Sequence, residues 1–158
     1  MKLLLIHPGA SFSTHDVYAG YVAALRGLGV GVVEYRLDGR IDTWGRFLKS
    51  EHRRRKLGPV DDAEVLHRAG MDILPQAIWH GVDGVLAVSA MYLRESALAL
   101  LRKAGVPLAL LLTESPYDDS QQGSYCRYAD AVFTNERTSV GYLERFCPTV
   151  RYLPHAYD

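Results

Sequence analysis

Val106-Pro107-Leu108-Ala109-Leu110-Leu111-Leu112-Thr113 is the most apolar segment of the chain. It shows no alternation of polar and apolar residues, and a strand reads this way when helices cover both of its faces. The segment therefore belongs at the centre of a sheet. Further apolar runs on either side, at 2–7, 30–36, 82–89, 129–134 and 149–153, read as additional strands. Val32, Val33 and Tyr35 are β-branched or aromatic, and Gly29 and Gly31 punctuate the start of their run. Helical periods fill the gaps. Val17, Tyr21, Leu25 and Leu28 recur at helical spacing behind a capping Asp16. Residues 41–56, 61–81, 92–104 and 136–146 read as helices, with Gly58-Pro59 and Gly105 as breaks. Strand and helix thus alternate along the chain. Parallel neighbours need crossover connections, so the pattern predicts a doubly wound, Rossmann-like α/β domain over 1–158, with a parallel sheet of about six strands and helices on both faces.

Composition narrows the functional classes. At 158 residues the chain suits one domain with its own core. Apolar residues at 48% and charged ones at 23% sit near the globular average, which excludes disordered and fibrous classes. The 18 basic and 18 acidic side chains cancel, so no whole-chain field favours nucleic acid or a membrane surface. Cys126 and Cys147 have no metal-ligand spacing and suit free thiols in a reducing cytoplasm. Leu3-Leu4-Leu5-Ile6 is too short for a signal peptide or a membrane span. A cytoplasmic protein without a membrane span is expected.

In open parallel sheets, ligands sit beyond the carboxyl ends of the strands. The loop after the first strand, Pro8-Gly9-Ala10-Ser11-Phe12-Ser13-Thr14-His15-Asp16, has one glycine and no lysine, so it matches neither a dinucleotide fingerprint nor a P-loop. Ser11, Ser13 and Thr14 place hydroxyls near a helix start, where they either hold a polar ligand group or cap the helix. His15 is the sharpest single candidate. An imidazole with an ordinary pKa near ~6.5 takes a proton from a hydroxyl nucleophile when a carboxylate orients it, and Glu114, after the central strand, is the candidate orienter. The alternative is an exposed loop histidine. Ser89, Tyr117, Asn135, Glu136 and His155 also follow strands and are candidates for substrate contact. Tyr117 and Tyr125 are able to stack on a ring, or simply to pack. Asp118-Asp119 lacks further ligands, so no metal is expected and the pair reads as a solvated turn. Arg53, Arg54, Arg55 and Lys56, after His52, offer an anionic acceptor a basic patch or form a solvated helix end.

The order of elements, the segment Tyr128-Ala129-Asp130-Ala131-Val132-Phe133-Thr134-Asn135-Glu136 and the stretch Val150-Arg151-Tyr152-Leu153-Pro154-His155-Ala156-Tyr157-Asp158 resemble the N-terminal half of a GT-B glycosyltransferase. The nearest match is the CgeB-like group, which is similar in turn to glycosyltransferase group 1. The resemblance implies a domain that holds a hydroxyl-bearing acceptor while a second Rossmann-like domain, in the same or another chain, binds the nucleotide-sugar donor. It implies no bound cofactor or metal, and a base in the loop after the first strand of inverting relatives, where His15 stands. One wall of a cleft excludes water poorly, so weak or no turnover is expected from these residues alone. The alternative is a non-catalytic flavodoxin-like ligand-binding or regulatory domain. A receiver domain is disfavoured, because the first strand ends in His7-Pro8 and no phosphoacceptor aspartate ends the third. A homodimeric scaffold joined through the open cleft is a third reading, which light scattering tests.

Overall fold

The apolar runs pair side by side into a single six-stranded, all-parallel sheet of order β2-β1-β3-β4-β5-β6. The computed structural model describes residues 1–9 and 13–154. Its elements are β1 (Lys2–Ile6), α1 (Ser13–Gly27), β2 (Gly31–Tyr35), α2 (Leu37–Arg55), α3 (Asp62–Gly70), α4 (Ile73–His80), β3 (Gly84–Val88), α5 (Glu95–Lys103), β4 (Leu108–Leu112), α6 (Asp119–Cys126), β5 (Ala131–Thr134), a 3-10 turn (Arg137–Ser139), α7 (Val140–Leu143) and β6 (Val150–Tyr152). This is the doubly wound, Rossmann-like arrangement, with β4 inside the sheet as its composition requires. Among the described residues, no helix is long and apolar enough to cross a membrane.

Strand alternation divides the core in two. Leu4, Ile6, Val85, Ala87, Leu108, Leu110, Leu112 and Val132 point to one face, where Leu37, Ala69, Ile73, Leu98, Tyr125 and Leu143 of the helices from α2 onward meet them. Leu5, Val88 and Leu111 point to the other, where Tyr18 and Val22 of α1 cover them. The chain steps from β1 outward to β2 and then crosses back to β3. Right-handed crossovers consequently send α1 to one face and the later helices to the other. The reversal lies between β1 and β3, and open parallel sheets take ligands at such a point, beyond the strands' carboxyl ends.

Several boundaries differ from the sequence reading. Helix α2 begins at Leu37, directly after β2 and four residues before the predicted start at 41. The predicted helix over 61–81 is two helices. Pro75 has no N–H for the carbonyl of Met71 and its ring crowds that carbonyl, so the chain turns at Met71-Asp72 and restarts. Asp118-Asp119 is no isolated turn, because Asp119 opens α6. The predicted helix over 136–146 is reduced to a 3-10 turn and four residues, Val140–Leu143. Gly141 weakens it, and Pro148 bars Cys147 from helical geometry. Both cysteines are free and buried, and burial pushes the Cys126 thiol up to about 12.

Candidate ligand site at the crevice between β1 and β3

His7 continues the alternation of Leu3 and Leu5 and so falls on the α1 face, fully buried at the end of β1. Its ring lies edge-on to Tyr18, with centroids 4.9 Å apart, and its Nε2 is 3.0 Å from Nδ1 of the exposed His15 in the first turn of α1. The Gly9 backbone N–H donates to His7 Nδ1 at 3.1 Å. Asp38 Oδ1 approaches that same nitrogen only to 3.7 Å, beyond hydrogen-bonding distance. A nitrogen that accepts from an amide carries no proton of its own. His7 is therefore neutral, and burial holds its pKa below the ordinary imidazole value against the opposing pull of Asp38. Asp38 spends its charge elsewhere. Its carboxylate takes two hydrogen bonds from the Arg36 guanidinium, at 3.1 and 2.6 Å, which hold its pKa down at about 2.

Gly9 makes this geometry accessible. Its φ of +94° is open to glycine, and a Cβ there would sit 2.9 Å from Tyr92 Cβ. Tyr92 thus fills the space a Cβ would need, and the Gly9 N–H is already engaged by His7. Helix α1 is tied down on its other side. The Tyr18 hydroxyl donates to Glu34 Oε2 at 3.1 Å, and Arg26 Nη2 pairs with Oε1 at 2.8 Å.

The second cluster stands after β3 and β4. Ser89 holds a left-handed backbone with φ of 62°, a strained state for a residue with a Cβ. Its hydroxyl accepts from the Met91 N–H at 3.2 Å and donates to Glu114 Oε1 at 2.8 Å. Thr113 donates to the same carboxylate twice, from Oγ1 at 2.7 Å and from its backbone N–H at 3.2 Å. Glu114 is thereby engaged by Ser89 and Thr113, and the described hydrogen bonds include none between Glu114 and His15. The sequence-based pairing of these two is replaced by two separate pairs, His7 with His15 and Ser89 with Glu114. Burial and the neighbouring Glu114 charge raise the Asp118 carboxyl above its ordinary pKa. Among the described residues, no group of three His, Cys, Asp or Glu side chains could hold a metal ion.

The remaining candidates scatter. Ser11 and His155 lie outside the described residues, as does the side chain of Ser13. Thr14 is half-buried in the first turn of α1. Tyr117 is 95% exposed and its backbone N–H donates to the Glu114 carbonyl at 2.9 Å, whereas Tyr125 is buried and accepts from Gln121 through its hydroxyl at 2.8 Å. Asn135 sits beside β4, with its N–H on the Leu112 carbonyl, and its buried Oδ1 has no partner among the described residues. Glu136 caps the 3-10 turn through Thr138, whose hydrogen bonds lower its pKa. At the end of α2, Arg54 and Arg55 pair with Glu51, and Lys56 closes the helix in a left-handed turn. Arg53, with Lys49 and His52, instead lines a surface hollow of about 410 Å³.

A larger groove, of about 690 Å³, lies between α3, α5 and α6, where His67 Nδ1 meets Ser96 Oγ at 3.0 Å. Both of those side chains are exposed. The strand-end rim is preferred to this groove as a site because His7 and Ser89 there are buried and hydrogen-bonded to their neighbours, whereas His67 and Ser96 are exposed. His7, Asp38 and Thr113 lie in stretches the sequence marks as strand ends, but were not singled out as site residues. His7 had been counted as strand, yet its place in the alternation with Leu3 and Leu5 is the signal that sets it beneath α1. No family model matches the chain, and a search of curated proteins finds no match.

Proposed function

We propose that this chain is the acceptor-binding half of a glycosyltransferase, which takes a hydroxyl-bearing acceptor in the β1/β3 crevice while a second Rossmann-like domain, in the same or another chain, presents a nucleotide-sugar donor. The observation that carries this reading is that polar side chains follow the carboxyl ends of three neighbouring strands: His7, bonded to His15, after β1, Ser89 after β3, and Thr113 and Glu114 after β4. Imidazole, hydroxyl and carboxylate groups at such a rim suit a polyhydroxylated ligand, which both donates and accepts. The rim is a poor place for the donor's diphosphate. The Gly9 N–H is engaged by His7, and Arg36 is committed to Asp38. That division of labour is the one the resemblance of 128–136 and 150–158 implies. The buried free thiols suit a cytoplasmic setting.

These residues supply one wall. Transfer needs donor and acceptor held in near-attack geometry with water excluded, which an open crevice does not provide. A second reading, ligand binding without chemistry, is favoured by one observation: among the described residues, no carboxylate is bonded to His15 in the way a general base requires. Incubating the chain with UDP- and GDP-sugars and a panel of saccharide acceptors tests the proposal. The expected outcome is retention of an acceptor without turnover. Robust transfer by this chain alone would remove the two-domain reading, and failure to retain any acceptor would remove the acceptor role.

A further inference from the structure

We propose that His7 is a positioning residue that locks His15 as a hydrogen-bond donor, so that His15 offers the crevice an Nε2–H to hold a ligand oxygen and no lone pair to accept a proton. The inference rests on reading the β1/β3 crevice as the ligand site, and it replaces the general-base role by a binding one.

The chain of reasoning starts at a backbone amide. The Gly9 N–H cannot change its polarity, and it donates to His7 Nδ1 at 3.1 Å. A neutral imidazole carries one N–H and one acceptor nitrogen, so His7 must bear its proton on Nε2. That N–H points at His15 Nδ1, 3.0 Å away. His15 Nδ1 is then the acceptor of the pair. The remaining proton of a neutral His15 ring is obliged to sit on Nε2. This nitrogen diverges from the buried His7 and has no hydrogen-bond partner among the described residues, while its residue is exposed at the start of α1. One fixed donor therefore propagates through two rings and emerges as another donor.

The opposite assignment fails on the same geometry. A base at His15 needs a free Nε2 lone pair, hence a proton on Nδ1, hence an accepting His7 Nε2 and a protonated His7 Nδ1. That last proton would face the Gly9 N–H head-on, and Asp38, at 3.7 Å, is too distant to compensate. Arg36 holds the Asp38 carboxylate in place, so it does not swing in. Tyr18 packs edge-on against His7 while its hydroxyl bonds to Glu34, and among the described residues His7 Nε2 has no hydrogen-bond partner other than His15.

Long-range proton–nitrogen correlation spectra of the 15N-labelled chain, recorded at about pH 8 where an ordinary imidazole is neutral, read the tautomer of each ring directly. The expected result is a single Nε2–H tautomer for both His7 and His15. His7→Gln, which keeps an amide donor near the Nε2 position, is expected to leave His15 unchanged. His7→Glu presents only acceptor oxygens and is expected to invert His15 to Nδ1–H. A wild-type His15 found as Nδ1–H, or as a mixture of tautomers, would overturn the inference, and the wild-type spectrum decides the matter even if His7→Glu fails to fold. Failure to bind any saccharide would count against the acceptor reading and leave the tautomer result standing, so the two are separable.

Discussion

The two faces of the sheet do different work. On one, the helices from α2 to α7 bury a continuous core around Leu110, Leu112, Leu98 and Ile73. On the other, α1 supplies Tyr18 and Val22 against Leu5, Val88 and Leu111, and Leu3, Leu86 and Phe133 remain only partly buried. The candidate site belongs to the thinner side, since His7 points that way and His15 rides on α1. Stability is thus concentrated away from His7 and His15, and His15 rides on an element held by few buried contacts plus the Tyr18-Glu34-Arg26 network. The separation lets the fold carry strain near the site, as at Ser89, at little risk to the whole.

The largest effect that would break this comparison is in the core. Leu110→Ala removes a fully buried side chain from the thick face and is expected to cost about 2–5 kcal/mol. Phe133→Ala removes more atoms from the thin face, but part of the ring already meets water, so a smaller loss is expected. Urea unfolding of both variants reads the difference. Equal losses would show that the α1 face is as tightly built as its opposite.

A smaller effect sharpens the site's half of the comparison. The folded His7 pKa lies below the unfolded value near ~6.5, so the unfolded chain binds more protons in between. Its contribution to stability is complete above ~6.5 and is lost as pH falls below that value through the lower folded one. Wild type is expected to lose more stability than His7→Gln between about pH 7 and about pH 5. Parallel pH profiles for the two proteins would show that His7 does not stay neutral in the fold.

The strands were legible because a buried parallel strand needs an unbroken apolar run, and the chain holds few such runs. Helix ends were harder. The α6 sequence DSQQGSYC lacks an apolar stripe, and its Gly123 is there for contact: a Cβ would come within 2.8 Å of the Phe146 ring. That requirement exists only once α6 and the segment after α7 are together. In the same way, His15 stood out as a polar residue beside a strand end, but its partner did not. Glu114 was chosen for its chemistry and its place after β4, while Ser89, bent by a positive φ, claims it instead. His7 was hidden because a strand-end histidine reads as part of an apolar run until the register sets it under α1. Elements follow from local pattern, whereas hydrogen-bond partners depend on which strands become neighbours.

The claim on which the rest depends is that ligands enter at the β1/β3 crevice. A glucose titration followed by amide proton–nitrogen spectra of the labelled chain tests it most directly. Shifts clustered at His7, Gly9, His15, Ser89 and Glu114 are expected; no shifts, or shifts confined to the groove between α3, α5 and α6 or to the basic end of α2, would contradict it.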